Sequence, residues 1–238
     1  ACSSAANALM TAVRLLRHGI ADRVIAGGAD ALCRFTLNGF RSLQILDPAP
    51  CRPFDALRAG LNLGEGAAYL VLERADEATK MPYCCLAGFA NANDAYHQTA
   101  SSPEGEGDYL AMRWALERAG VMPEEVDYVN AHGTGTPNND LAEGIALRRL
   151  FGERMPLFSS TKAITGHTLA AAGAVEAVFA ALMLRHGEIY PNLRFAKPDS
   201  RTKLCPVTRY RRQPLCNVLS NSFGFGGNCA SLLFTRAE

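Results

Sequence analysis

Apolar residues recur every three or four positions at Ala5, Ala6, Leu9, Ala12, Val13 and Leu16, and Gly19 follows, which predicts an amphipathic helix over about Ser3–His18. Arg23–Asp30, a β-branched run closing on glycines, predicts a buried strand leading into a loop. Residues 31–63 keep no period. They hold turn-rich pieces, Leu46-Asp47-Pro48-Ala49-Pro50 and Arg52-Pro53-Phe54-Asp55, and are expected to be irregular and to lie on the surface near the site. Strands are expected at Ala67–Glu73 and Tyr83–Ala90, and the connector between them, Arg74–Met81, divides the chain into residues 1–80 and 81–238. Beyond it strands and helices alternate: helix Asp108–Ala119, strand Val126–Asn130, helix Asn139–Phe151, strand Leu157–Ser160 and helix His167–His186. Two last strands, Leu215–Ser220 and Cys229–Phe234, flank a glycine-rich turn, Asn221–Asn228. This order predicts an α/β fold in which helices cover a sheet.

Composition narrows the picture only in part. With 238 residues, 48% of them hydrophobic, the chain can build a sizeable core in one large or two small domains. Lys and Arg total 24 against 23 Asp and Glu, so the net charge of +1 gives no reason to expect nucleic acid or a membrane as partner. The most apolar stretch, Leu169–Leu184, falls short of a membrane span and contains Gly173 and Glu176, so it is expected to be a buried helix. Because the given sequence opens directly on the predicted first helix, no cleavable signal is expected. Eight cysteines without a C-x-x-C pair suit a reduced, cytoplasmic protein rather than a disulfide scaffold or a zinc site, and no metal is expected.

Candidate chemistry begins with Cys2. At a helix N-terminus, free backbone N–H groups and the helix dipole favour a thiolate and so a nucleophile; the alternative is a small buried cysteine. Three further segments put polar groups at strand ends, where open α/β sheets build their sites. They are Asn130-Ala131-His132-Gly133-Thr134-Gly135-Thr136-Pro137, Ser160-Thr161-Lys162-Ala163-Ile164-Thr165-Gly166-His167, and Asn221-Ser222-Phe223-Gly224-Phe225-Gly226-Gly227-Asn228. Singly, each histidine could be a satisfied loop residue, Lys162 a solvated charge and the glycine turn a tight hairpin. Together with Cys2 they are more specific.

Those segments, with Ala1-Cys2-Ser3-Ser4-Ala5, Arg52-Pro53-Phe54-Asp55 and Gly64-Glu65-Gly66-Ala67, occur in the order found in the β-ketoacyl-acyl carrier protein synthases, and the chain resembles the elongating synthase II type from end to end. The resemblance implies a thiolase-like layered α/β/α/β/α fold and an acyltransferase of fatty acid, polyketide or polyene synthesis. In that reaction Cys2 takes an acyl group as a thioester, and malonyl-acyl carrier protein loses carbon dioxide and attacks it. The resemblance also implies that His132 and His167 donate hydrogen bonds to the enolate and that Lys162 holds the histidine and the site's electrostatics. It gives the N–H groups of Cys2 and Phe225 as an oxyanion hole, Phe225 as gate of the acyl pocket beside Phe223, and Thr134 and Thr136 as contacts of the pantetheine arm. Asp140 and Glu143 match supporting acidic positions, or are a solvated pair in a first helical turn. Arg52 lies near the carrier-protein entrance or fixes a turn. No resident cofactor is implied, because phosphopantetheine arrives on the carrier protein. The implied partners are acyl carrier protein and a second copy or a related subunit in a dimer.

Asn228-Cys229 stands where the family continues with Thr-Asn, so hydrogen bonding behind the oxyanion hole is expected to differ. The chain begins one residue before the cysteine, and is expected to be a piece without the preceding strands, much of the dimer interface and part of the acyl pocket. Two other readings remain. A silent or chain-length-shaping partner of the same fold typically lacks the nucleophile; a coenzyme A thiolase uses a second cysteine and one histidine.

Overall fold

The computed structural model describes residues 2–78 and 80–237; Ala1 of the first motif, Thr79 of the expected connector, and Glu238 lie outside the described residues. Helix α1 (Ser4–Arg17) buries Ala5, Ala6, Leu9, Met10, Ala12, Val13 and Leu16, the stripe that the spacing predicts. Gly19, at φ 65°, then turns the chain into β1 (Arg23–Asp30).

β1 is not the fully buried strand expected. It pairs only with β2 (Gly66–Glu73), antiparallel, after the helix α2 (Arg34–Ser42). Val24, Ala26, Leu70 and Leu72 face the core, whereas Ile25, Tyr69 and Val71 on the opposite face are exposed. The apolar run hid an alternation that only the pairing exposes. α2 also corrects the expectation of irregular backbone over 31–63. Its apolar positions bury no side chain, so no core-facing period marks it. Likewise Pro53, Phe54 and Asp55 are buried rather than at the surface.

The larger sheet runs β3–β9–β8–β4–β5, from β3 (Cys85–Asn93), β4 (Tyr128–Asn130), β5 (Leu157–Ser159), β8 (Asn217–Gly224) and β9 (Asn228–Thr235). β4 runs parallel to β5 and β8, and β9 antiparallel to β8 and β3. Between these strands lie α3 (Glu106–Ala119), α4 (Pro137–Phe151), the single turn α5 (Lys162–Thr165) and α6 (Ala172–His186); the short strands β6 (Glu188–Ile189) and β7 (Arg211–Arg212) form a separate ribbon. Side chains alternate across this sheet. Tyr128, Val218, Ala230, Leu232 and Phe234 join the core with α1 and α6. Val129, Leu219, Leu233, Phe223 and Cys229 join that with α3 and α4. The layers are therefore the β1–β2 pair, α1 with α6, the five-stranded sheet, and α3 with α4, which is four of the five expected.

Two boundaries change the site. β8 and β9 extend so far that only Phe225–Gly227 remains as turn, and Asn221–Gly224 is strand. His167 is outside the long helix, in a bridge to Leu63, with a 3₁₀ turn at Leu169–Ala171 before α6. With that turn, Leu169–His186 does reach the length and apolarity of a membrane span, but 61% of it is buried within the protein, between the two sheets.

Candidate active site

Cys2 precedes α1 and is 5% exposed, with Ser3 as the N-cap, whose hydroxyl donates to Asn228 Oδ1 across the glycine turn at 2.8 Å. Phe225 lines the same cavity as Cys2, and its backbone N–H favours the charged form of the Cys2 sulfur. His132 leaves the end of β4, and its backbone N–H and that of Gly133 each donate to the Glu143 carboxylate at 2.8 Å. His167 is pinned through its backbone, its N–H donating to Asn62 O at 2.7 Å and its carbonyl accepting from Gly64 at 3.0 Å. Gly64 is required there, because a Cβ would collide with the Thr165 carbonyl.

Cys2, His132 and His167 line one cavity of about 290 Å³ with Thr134, Thr136, Phe223 and Phe225. The imidazole centroids are 5.2 Å apart, and Phe223 lies 6.0 Å from His132. Phe225 is 39% exposed and stacks on Phe40, at 6.1 Å, across the mouth. The Thr134 and Thr136 hydroxyls are 2.9 Å apart.

Hydrogen bonds assign both tautomers. Lys162 Nζ lies 3.2 Å from His132 Nδ1, and an ammonium can only donate, so Nδ1 accepts and the ring proton sits on Nε2. His167 Nδ1 accepts the Leu169 N–H at 3.3 Å, which leaves Nε2–H as its donor too. Burial, followed by the Lys162 charge, holds both imidazoles well below the ordinary histidine value, so both are neutral near pH 7. The site thus offers two neutral N–H donors beside a sulfur.

The acidic pair is not solvated. Glu143 is 0% exposed, and burial pushes its carboxyl up to about 7 against the N–H groups of Gly133, Asn221 and His132. Asp140 accepts from Phe54 N at 2.7 Å and Gly135 N at 3.1 Å, tying the Arg52–Asp55 segment to the histidine loop. Arg52 itself is half-buried next to that tie.

Two residues escaped the sequence. Glu176 of α6 forms a buried ion pair with Lys162; its only signal was a lone carboxylate inside an apolar helix. Phe40 sits in α2, where no period pointed to it.

The thiol differs from expectation. Burial pushes Cys2 above the ordinary value of 9.0, and the Lys162 charge and the N–H groups of Phe225 and Cys2 offset this only in part. Cys33, at the exposed N-cap of α2, is instead lowered by the Thr36 hydroxyl and N–H. Desolvation, which the sequence did not reveal, decides between them. Alkylation of Cys2 by iodoacetamide, followed by peptide mass, is expected to keep rising above pH 8 while Cys33 reaches its plateau at lower pH. A Cys2 plateau by pH 7 would contradict the assignment.

Comparison with known proteins follows the same lines. The family model described as "Beta-ketoacyl synthase, N-terminal domain" matches residues 1–78, and that described as "Beta-ketoacyl synthase, C-terminal domain" matches residues 83–196. The 3-oxoacyl-acyl-carrier-protein synthase 2 of Rhizobium meliloti (strain 1021) is 42% identical over 99% of this chain and 59% of the relative. That of Staphylococcus aureus (strain COL) is 38% identical over 100% of the chain and 60% of the relative. The chain therefore spans 59–60% of the length of these relatives. Among solved structures, a type II PKS acyl-carrier protein in complex with its ketosynthase bound to the hexaketide has a TM-score of 0.96 at 30% identity, covering 100% of this chain and 62% of that one. A ketosynthase in complex with its chain length factor from Xenorhabdus doucetiae gives 0.92 at 41%, covering 99% and 58%.

Proposed function

The chain belongs to the β-ketoacyl synthase family, and from that premise we propose that it carries the catalytic centre of a condensing acyltransferase, which joins an acyl group on Cys2 to a malonyl unit on acyl carrier protein. The observation that carries this reading is the pair of neutral Nε2–H donors sharing a cavity with a nucleophilic sulfur.

Acyl transfer is a thiol–thioester exchange. The Cys2 sulfur attacks the incoming thioester carbonyl, the N–H groups of Cys2 and Phe225 take the oxyanion, and the proton of Cys2 passes to the released carrier-protein thiol. The resting thiol therefore needs no permanently charged form. Malonyl carrier protein then enters, with Thr134 and Thr136 along its pantetheine arm. As the bond to the carboxylate breaks and carbon dioxide leaves, its electron pair becomes an enolate whose oxygen accepts from His132 and His167. The enolate carbon attacks the Cys2 thioester, and collapse expels the sulfur, leaving 3-oxoacyl carrier protein. Lys162 acts through His132 by fixing its tautomer, and Asp140 and Glu143 fix the loop that presents it. Phe225, stacked on Phe40, gates the acyl end of the cavity.

No resident cofactor takes part. The eight free cysteines favour a reducing, cytoplasmic setting. The dimer partner is a second copy or a related subunit, as in the ketosynthase–chain length factor complexes among the similar structures. The two curated relatives are 3-oxoacyl-acyl-carrier-protein synthases 2 and one solved neighbour is a type II PKS ketosynthase, which supports a product of fatty acid or of polyketide or polyene synthesis. A silent partner role is disfavoured by Cys2 with both histidines in one cavity, and a thiolase by the absence of a second cysteine among the residues lining that cavity.

Incubating the intact protein with acyl carrier protein bearing an acyl chain tests the reading by mass spectrometry. A Cys2 thioester is expected; an unmodified Cys2 under turnover conditions would sink it.

A further inference from the structure

Behind the glycine turn lies a second sulfur, which the mechanism leaves unused. Cys229 opens β9 opposite Phe223, is 2% exposed, and has its Sγ 3.1 Å from Asp108 Oδ1 and 3.5 Å from Gly227 O. Asp108, in the first turn of α3, is 0% exposed and its Oδ2 has no hydrogen-bond partner. Burial, then the Glu143 charge, raises its carboxyl well above the usual range. The fit is close. A Cβ on Gly107 would lie 2.9 Å from both Cys229 Sγ and Asp94 Cβ.

Asp94 completes the frame. Its N–H donates to Gly227 O at 2.8 Å, and its carboxylate accepts from Ser102 Oγ at 2.7 Å and from Gly107 N at 3.2 Å. Gly227, at φ 75°, is held by the Asp94 N–H, and the one Cys229 thiol proton is shared between Asp108 Oδ1, the nearer acceptor, and Gly227 O. Two residues before it is Phe225, which lines the cavity with Cys2, and a Cβ on its neighbour Gly224 would lie 3.6 Å from Cys2 Cβ.

Resting on the condensing reading above, we propose that Asp108 and Cys229 are positioning residues, a buried acid–thiol pair that sets the glycine turn and so aims the Phe225 N–H at the acyl carbonyl on Cys2. The pair serves acyl transfer and not decarboxylation. The His132 loop has its own anchors in Glu143 and Asp140, and His167 is held by Asn62 and Gly64. Asn228 beside it adds the tie to Ser3.

The two half-reactions separate these roles in the intact protein: single-turnover acyl transfer to Cys2, read by mass, and carbon dioxide release from malonyl carrier protein. Cys229→Ala and Asp108→Ala are each expected to slow acyl transfer by about tenfold or more at unchanged KM, because a displaced donor loses much of its value to the transition state. Carbon dioxide release should stay within about twofold of wild type. Asp108→Asn, a neutral isostere that still accepts from the thiol, should recover most of the transfer rate. Cys229→Ala is the milder change and carries the test should Asp108→Ala fail to fold. Equal loss of both half-reactions, no loss of either, or no recovery with Asn overturns the proposal. A wild-type protein inert in both assays would sink the condensing reading itself, and this proposal with it.

Discussion

A Cys2→Ala variant is expected to lose condensation by at least about 10⁴-fold, because no acyl-enzyme forms and nothing else in the cavity offers a thiol. Its fold should survive. Cys2 occupies a buried site at the start of α1, and Ala fills most of that space without leaving a polar group unpaired. The variant should still bind malonyl carrier protein and release carbon dioxide, since that step uses the two imidazoles. Steady-state product formation together with carbon dioxide release separates the two losses. Full product formation by Cys2→Ala would transfer the family fold to the silent-partner reading.

Glu176→Ala is expected to destabilise the protein by about 3–5 kcal/mol, since it leaves the Lys162 ammonium buried without its carboxylate. Lys162 and Glu176 link the β5 end of the large sheet to α6, so the strain falls on the centre of the molecule. Replacing both, Lys162→Met with Glu176→Leu, should restore most of the stability, because a buried pair exchanged for apolar groups of similar volume is nearly neutral. Activity should not return with it. Without the Lys162 donor, Nδ1 of His132 is free to carry the ring proton, and the Nε2–H donor loses its fixed tautomer. Urea denaturation followed by far-ultraviolet circular dichroism checks the first half, and carbon dioxide release the second. A loss below about 1 kcal/mol for Glu176→Ala would mean that water reaches the Lys162 ammonium.

Legibility in the sequence followed burial. α1 was readable because one stripe faces the core, and α2 was not because it buries no side chain. β1 looked fully buried because Val24, Ile25 and Ala26 are all apolar, although successive side chains point to opposite faces. The glycine turn is shorter than the small polar residues suggest, since Asn221 and Ser222 continue β8 while buried. At the site, the histidine, lysine and glycine segments were readable from composition and order. Their partners were not. Glu176 meets Lys162 across a loop and a turn, and the burial that neutralises His132 and raises Cys2 arises only when the layers close over them. Glu143 shows the same limit, as an acid in the second turn of α4 that solvent never reaches.

Two neutral imidazoles donating through Nε2 to one enolate oxygen are the centre of the mechanism, and carbon dioxide release from malonyl-acyl carrier protein by His132→Ala and His167→Ala, measured beside Cys2→Ala, tests this most directly. Each histidine variant is expected to lose about 10²–10³-fold, the effect of removing one oxyanion donor, while Cys2→Ala keeps the step. Carbon dioxide release that persists without the histidines, or that disappears with Cys2 alone, would contradict it.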